Sequence, residues 1–131
     1  MEVVAAVIKD DSGKIFCCRR GPGRALAGYL EFPGGKIEKY ETEEEALKRE
    51  IFEELSSEVL VEDLIETVSY DYKKFHINMH VYFCKLIRGS LELSEHTEAF
   101  WLEASALNEK SFAPADRSVV RKLKKIAINQ L

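Results

Sequence analysis

Glu50, Glu53 and Glu54 are the residues of this sequence best placed to do chemistry. At spacings of three and four they share one face of any helix that carries them. Such a helix is well specified. Thr42 and Glu45 form a Thr-x-x-Glu capping box, and Ala46, Leu47, Ile51 and Leu55 recur behind it at helical spacing as a core stripe. In the first turns, Glu44–Lys48 and Glu45–Arg49 are i,i+4 pairs of opposite sign, each contributing ~0.3 kcal/mol on a solvated face. The last three carboxylates differ. No Lys or Arg follows them at a pairing distance, and the negative end of the helix dipole already lies there. An external cation would resolve this. Mg²⁺, with Mn²⁺ as the alternative, takes carboxylate oxygens together with waters and substrate phosphates.

The elements that must position this face are legible as patterns. Residues 3–8 form an apolar, Val-rich run, as expected of a strand covered on both faces. Asp10-Asp11-Ser12-Gly13 is a turn, and residues 15–19 pair back as a hairpin. A loop over 21–28 leads to a short strand at 29–32 and a glycine turn at Pro33-Gly34-Gly35. After the acidic helix, residues 64–72 and 76–87 read as two strands joined at Lys73-Lys74. In the second, Ile77, Met79, Val81 and Phe83 alternate with His76, Asn78, His80 and Tyr82. Short strands at 91–93 and 99–102, a helical turn at 104–107 and a last helix capped by Asp116 complete the chain. Strands mixed with two main helices, without regular βαβ alternation, give an α+β class with a mixed sheet.

Composition narrows the function. The 131 residues read as one domain, 1–131, able to bury a core. A formal charge of −4 argues against non-specific nucleic-acid binding. Three cysteines, two of them adjacent on a strand, point to reduced core thiols in a cytoplasmic protein. No apolar run approaches 18 residues and no secretory leader pattern is present, so neither membrane nor secretion is expected.

The spacing Gly35-x5-Glu41-x7-Arg49-Glu50-Ile51-x-Glu53-Glu54 resembles the Nudix box of the nucleoside-diphosphate-linked hydrolases. It departs at Ser56 and Ser57, where the family has Gly and an apolar residue. A left-handed C-cap without Gly costs about 1 kcal/mol. The resemblance extends to Arg19-Arg20, to Leu30-Glu31-Phe32-Pro33-Gly34-Gly35-Lys36, to Trp101 and to Phe112-Ala113-Pro114-Ala115-Asp116. Over nearly its full length the chain is similar to the MutT branch of that family. This implies the Nudix fold, an α/β/α sandwich with a mixed β-sheet between helices. It also implies a Mg²⁺-dependent pyrophosphohydrolase acting on (deoxy)nucleoside triphosphates, of the 8-oxo-dGTP or (d)CTP/5-methyl-dCTP type, in nucleotide-pool sanitation. Water would attack the β-phosphorus, leaving nucleoside monophosphate and pyrophosphate. The absence of an added amino-terminal segment favours this small type over hydrolases of other diphosphate-linked compounds. Retention of Glu50, Glu53 and Glu54 speaks against a silent nucleotide sensor.

The resemblance further implies roles. Glu53 and Glu54 are metal ligands with the Gly34 carbonyl, and Glu50 is either a further ligand or the group that orients the water. Glu95 either reaches the metal or acts as general base. Arg49 holds the acidic face in shape with Glu41 as its partner. Arg20 and Lys36 contact phosphates, Phe32 stacks on a base, and Tyr72 and His80 line a nucleoside pocket. Asp116 reads the base edge; as an ionised carboxylate it only accepts hydrogen bonds, which favours an edge of donors such as the cytosine N4 amine. The partner is a small nucleotide, with no nucleic acid or membrane, and the chain is a monomer or homodimer.

Overall fold

The structure, a computed structural model, describes residues 1–94 and 96–129. Seven strands and two helices follow in the order β1 (Glu2–Lys9), β2 (Ile15–Arg20), β3 (Leu30–Glu31), β4 (Gly34–Lys36), α1 (Glu43–Leu55), β5 (Glu58–Tyr72), β6 (Phe75–Arg88), β7 (His96–Leu102) and α2 (Arg117–Asn129). The sheet runs β3-β2-β1-β6-β5, with β4 also paired to β1 and β7 to β2. β1 lies parallel to β6 but antiparallel to β2 and β4, so the sheet is mixed.

β1 explains the layering. Its even residues Val4, Ala6 and Ile8 enter one core with Ala46, Leu47, Ile51 and Leu55 of α1. Its odd residues Ala5 and Val7 enter the other with Val119, Val120 and Leu123 of α2. A strand alternates its side chains between faces, so a continuous apolar run must be covered twice. The result is the α/β/α sandwich expected from the sequence. Cys17, Cys18 and Cys84 are free and buried in it, and burial pushes the thiols of Cys17 and Cys84 up to about 12. Among the described residues no helix is long and apolar enough to cross a membrane.

The structure departs from the sequence pattern after α1. β5 begins at Glu58, six residues before the expected start, and residues 91–93 form no strand. Ser56 explains the first difference. It caps α1 in the left-handed region (φ 49°), and the chain turns out of the helix directly into β5. Ser57 explains the second. Its buried hydroxyl donates to the Leu55 carbonyl (2.9 Å) and accepts from the Leu91 amide (2.9 Å), while the Glu92 amide bonds the same Leu55 carbonyl (3.0 Å). Residues 91–92 thus seal the end of α1 rather than extending a sheet. The close approach of Gly89 to Ser57 leaves no room for a Cβ there, and Gly89 also has a positive φ of 100°.

Two substitutions separate these effects. Ser56→Gly relieves the left-handed cap and should raise the urea midpoint, by roughly 0.5–1 kcal/mol. Ser57→Ala removes a buried hydroxyl that serves two backbone groups and should lower it, by about 1–2 kcal/mol. Equal midpoints for both variants and the parent would show that the serine pair does not set the end of α1.

Candidate active site

α1 is placed by its first turn. Thr42 Oγ1 accepts from the Glu45 amide (3.1 Å) and the Glu45 carboxylate accepts from the Thr42 amide (2.9 Å), closing the capping box. Glu45 is therefore engaged with the cap, and the expected Glu45–Arg49 pair does not form, although Glu44–Lys48 does (3.3 Å).

Arg49 turns instead to the loop before the helix. Its Nε and Nη2 donate to the two oxygens of Glu41 (2.6 and 2.9 Å), and Nη2 also donates to the Lys36 carbonyl (3.0 Å). Nη1 donates to Glu50 (2.9 Å) and Glu53 (3.2 Å). The fork to Glu41 matches the partner expected from the sequence. The contacts to Glu50 and Glu53 correct the expectation of a carboxylate face without an internal cation. Residues following Glu53 supply none, but Arg49 precedes it by one turn. These hydrogen bonds, the one to Glu41 foremost, raise the guanidinium further above its ordinary range and hold the Glu41 carboxyl below its own.

Across from this face lies the glycine strand β4. A Cβ on Gly34 would run into the Val4 carbonyl, and one on Gly35 into the Glu50 carboxyl. Only glycines let β1 and the Glu50 carboxylate approach this closely. Gly34, Gly35, Lys36, Glu50 and Glu54 form one wall of a cleft of about 670 Å³. The donors here are all oxygen, which suits a hard cation. Among the described residues no three His, Cys, Asp or Glu side chains form a ready-made cage. Glu53 stands outside this wall, half exposed and held by Arg49.

The second wall carries basic groups and a buried carboxylate. Arg20 at the end of β2 donates to the Ala25 carbonyl (2.6 Å) and to Glu31 (2.6 Å). Glu31 also accepts from His96 Nε2 (2.8 Å). Burial alone would raise the Glu31 carboxyl, but the His96 hydrogen bond and the Arg20 charge outweigh it and hold it below the usual range.

The far end of the cleft is apolar, lined by Phe32, Tyr72, Phe75, Ile77, Met79 and Ala115, with Asp116 among them. Phe32 is almost fully buried, its ring 5.2 Å from that of Phe112. The Tyr72 hydroxyl accepts from the Ala115 amide (2.9 Å) and fixes the segment that leads into α2.

Asp116 differs from expectation in two ways. It lies in a 3-10 turn before α2, and among the described residues its carboxyl makes no capping hydrogen bond to that helix. It is only 5% exposed, and burial, reinforced by the Glu31 charge and partly opposed by Arg20, pushes its carboxyl well above the ordinary range. The expected ionised, accept-only Asp116 is thus disfavoured by its burial, which shifts the carboxyl toward the neutral form, a donor beside an acceptor.

The cleft thus brings together Arg20, Phe32, Gly34, Lys36, Glu50, Glu54, Tyr72 and Asp116. His80 is not among them. It faces the opposite side of the sheet, bonded to Glu2 (2.7 Å) and Thr67 (3.2 Å). Glu95 lies outside the described residues. Glu31 was not anticipated as a site residue. Its one signal in the sequence is an acidic residue between Leu30 and Phe32 in an otherwise apolar strand.

A NUDIX domain model matches residues 3–122 of the chain. The chain is 35% identical over 123 residues to an 8-oxo-dGTP diphosphatase of Haemophilus influenzae, covering 94% of this chain and 90% of that protein. It is 34% identical over 116 residues to a CTP pyrophosphohydrolase of Escherichia coli, covering 88% and 85%. The solution structure of the E. coli ORF135 protein superposes with a TM-score of 0.84 at 31% identity, covering 96% of this chain and 89% of that one.

A buried acid with a raised pKa has a signature in stability. Between the unfolded value near 3.8 and the raised folded value, the folded chain keeps a proton that the unfolded chain has lost. Stability therefore falls as pH rises through that window, by up to ~1.4 kcal/mol per pH unit. Asp116→Asn removes this loss. Its denaturant midpoint should rise relative to the parent from about pH 4 upward. A difference independent of pH would show that Asp116 is ionised in the fold.

Proposed function

This chain belongs to the NUDIX family, and we propose that within it the chain is a Mg²⁺-dependent (deoxy)nucleoside triphosphate pyrophosphohydrolase that prefers oxidised guanine. The observation that carries the base preference is the buried Asp116 carboxyl at the apolar end of a cleft whose other end is lined by Glu50, Glu54, Arg20 and Lys36. A triphosphate and a base need opposite environments, and this cleft offers both.

A neutral carboxylic acid presents a donor beside an acceptor. Oxidised guanine presents the matching pair, an O6 acceptor and an N7–H donor. Ordinary guanine offers two acceptors on that edge and leaves the acid's carbonyl oxygen facing a lone pair. Cytosine's N3 and N4 amine also match, so (d)CTP and 5-methyl-dCTP form a second substrate class compatible with the same residue. Of the relatives named above, one is an 8-oxo-dGTP diphosphatase and one a CTP pyrophosphohydrolase. Phe32 and Tyr72 bound the base from the sides, the former from within the core.

Glu50, Glu54 and the Gly34 carbonyl at the phosphate end would hold the cation, with Glu53, beside that wall, and Glu95 as the further ligands that the family resemblance implies. Such an ion, when bound, gathers the charge of the phosphate oxygens and lowers the pKa of a bound water. The chain's own part is positional. Arg49 ties Glu50 and Glu53 to Glu41 and so keeps the acidic face in register with the glycine strand. Arg20 and Lys36 are placed to neutralise phosphate charge as it shifts to the leaving group. Water attacks the β-phosphorus, its bond to the oxygen bridging the α- and β-phosphorus breaks, and nucleoside monophosphate leaves with that oxygen while the attacking oxygen stays in pyrophosphate.

Pyrophosphate release measured over common and oxidised (d)NTPs with Mg²⁺ tests the reading. Turnover of 8-oxo-dGTP should exceed that of dGTP by about tenfold or more in kcat/KM, as expected for a polar contact left unmatched. Equal turnover would remove Asp116 from base recognition. Glu54→Gln should lower kcat by about 10²-fold or more, with weakened Mg²⁺ binding by calorimetry and a folded chain. Near-normal kcat would overturn the ligand assignment. In ¹⁸O-labelled water the label should enter pyrophosphate; label in the monophosphate would place attack at the α-phosphorus instead.

A further inference from the structure

Glu31 is a part-buried charge in the cleft that neither the glutamate motif nor the phosphate-binding groups account for. It occupies a two-residue strand between buried Leu30 and Phe32, with its own side chain only 16% exposed. Arg20 Nη1 lies 2.6 Å from one oxygen and His96 Nε2 2.8 Å from the other, and Arg24 stands 4.0 Å from the latter oxygen. The imidazole of His96 is itself buried, at 2% exposure. A carboxylate held this way joins β2, β3 and β7 from inside the cleft. It is also tied to the base end. Leu30 bridges Phe112, and the Ala113 amide donates to the Leu30 carbonyl (3.0 Å), so β3 is joined directly to the segment carrying Asp116.

Resting on the base-reading role of Asp116 set out above, we propose that Glu31 is the specificity-determining positioning residue of this cleft. It clamps Arg20 toward the phosphates, and its negative charge holds Asp116 in the hydrogen-bonding form that pairs with an adjacent donor and acceptor.

The groups facing Asp116 support this. Cys17 and Arg20 come from β2, Glu31 from β3 and Tyr72 from β5, while the next residue, Arg117, turns its guanidinium to the Phe112 carbonyl (3.1 Å). Burial pushes the Cys17 thiol up to about 12 and also raises the Tyr72 hydroxyl, so both are neutral at physiological pH. Glu31 and Arg20 are then the two charges that act on Asp116, in opposite directions. Two nearby carboxyls do not ionise together easily. Arg20 and His96 favour the ionised Glu31 and hold its carboxyl below the usual range, while that of Asp116 is pushed above it.

The test compares the parent, Glu31→Gln, Glu31→Asp, Arg20→Gln, Asp116→Asn and the double variant Glu31→Gln/Asp116→Asn. Two readouts are used: the pH profile of the kcat/KM ratio for 8-oxo-dGTP over dGTP, and the titration of the Asp116 carboxyl carbon by NMR in the substrate-free protein. In Glu31→Gln the Asp116 midpoint should move toward the ordinary carboxylate range, and the substrate ratio at pH 7 should fall by about tenfold. Glu31→Asp keeps the charge and should keep the parent midpoint. Arg20→Gln alters both the ion pair that keeps Glu31 ionised and the charge acting on Asp116, should move the midpoint, and serves if Glu31→Gln does not fold. In the Asp116→Asn background, Glu31→Gln should leave the ratio unchanged. If Glu31→Gln slows both substrates alike and neither it nor Arg20→Gln moves the midpoint, Glu31 is a structural clamp and the proposal is overturned. If Asp116→Asn leaves the parent's pH profile intact, the base-reading role itself fails, and this outcome is distinct because it needs no Glu31 variant.

Discussion

The guanidinium of Arg49 is the interaction on which the acidic face depends. Glu41, Glu50 and Glu53 all direct oxygens at it within 3.2 Å, and Glu38 stands 3.7 Å away. Without that fork, these carboxylates would repel one another across the loop and the helix. The same group also donates to the Lys36 carbonyl, so a single side chain joins the glycine strand, the loop at 38–41 and the middle of α1. A lysine could supply the charge but not the geometry, since only a planar fork reaches two carboxylate oxygens and a carbonyl together. The arrangement holds the face open toward the cleft while leaving Glu50 and Glu54 on the cleft wall.

The rest of the fold serves the other wall. Because β1 is apolar on both faces, one helix covers each side of the sheet, and the cleft opens where β4, β3 and the 3-10 turn at Pro114–Asp116 meet. One end of the cleft is charged and the other apolar, which makes the two carboxyls near the junction behave differently. Glu31 is surrounded by Arg20, Arg24 and His96 and stays ionised. Asp116 is almost fully buried beside apolar side chains, with Glu31 and Arg20 as opposing charges, and its carboxyl is pushed well above the ordinary range. Two chemically similar groups are thus given different hydrogen-bonding capacities by their surroundings, and the proposed base preference follows from that difference.

Local pattern carried much of this architecture. The capping box, the apolar stripe of α1, the run of β1 and the alternation of β6 each depend on residues within a few positions of one another, where 3.6- and 2-residue periods apply directly. Those elements stand where their patterns place them, and so does the Arg49–Glu41 fork. The early start of β5 escaped notice because it depends on a left-handed serine, and a serine in a sequence does not announce its φ. The failure of residues 91–93 to form a strand has a similar origin, since their polar backbone is taken up by Ser57 and Leu55 more than thirty residues away.

The Nudix-like pattern of glutamates and glycines pointed to the family and the fold, and helical spacing by itself put Glu50, Glu53 and Glu54 along one side of α1, because that placement is local. It did not determine which way a side chain looks across a sheet, so His80, polar and well placed along its strand, turned out to face α1's side rather than the cleft. Nor did it determine protonation. Glu31 meets His96 across 65 residues of sequence, and Asp116 is buried only in the packed chain, where the segment before α2 lies against β3. Charge state in a protein is set by desolvation and by neighbours, and both are properties of the packed chain rather than of the residue.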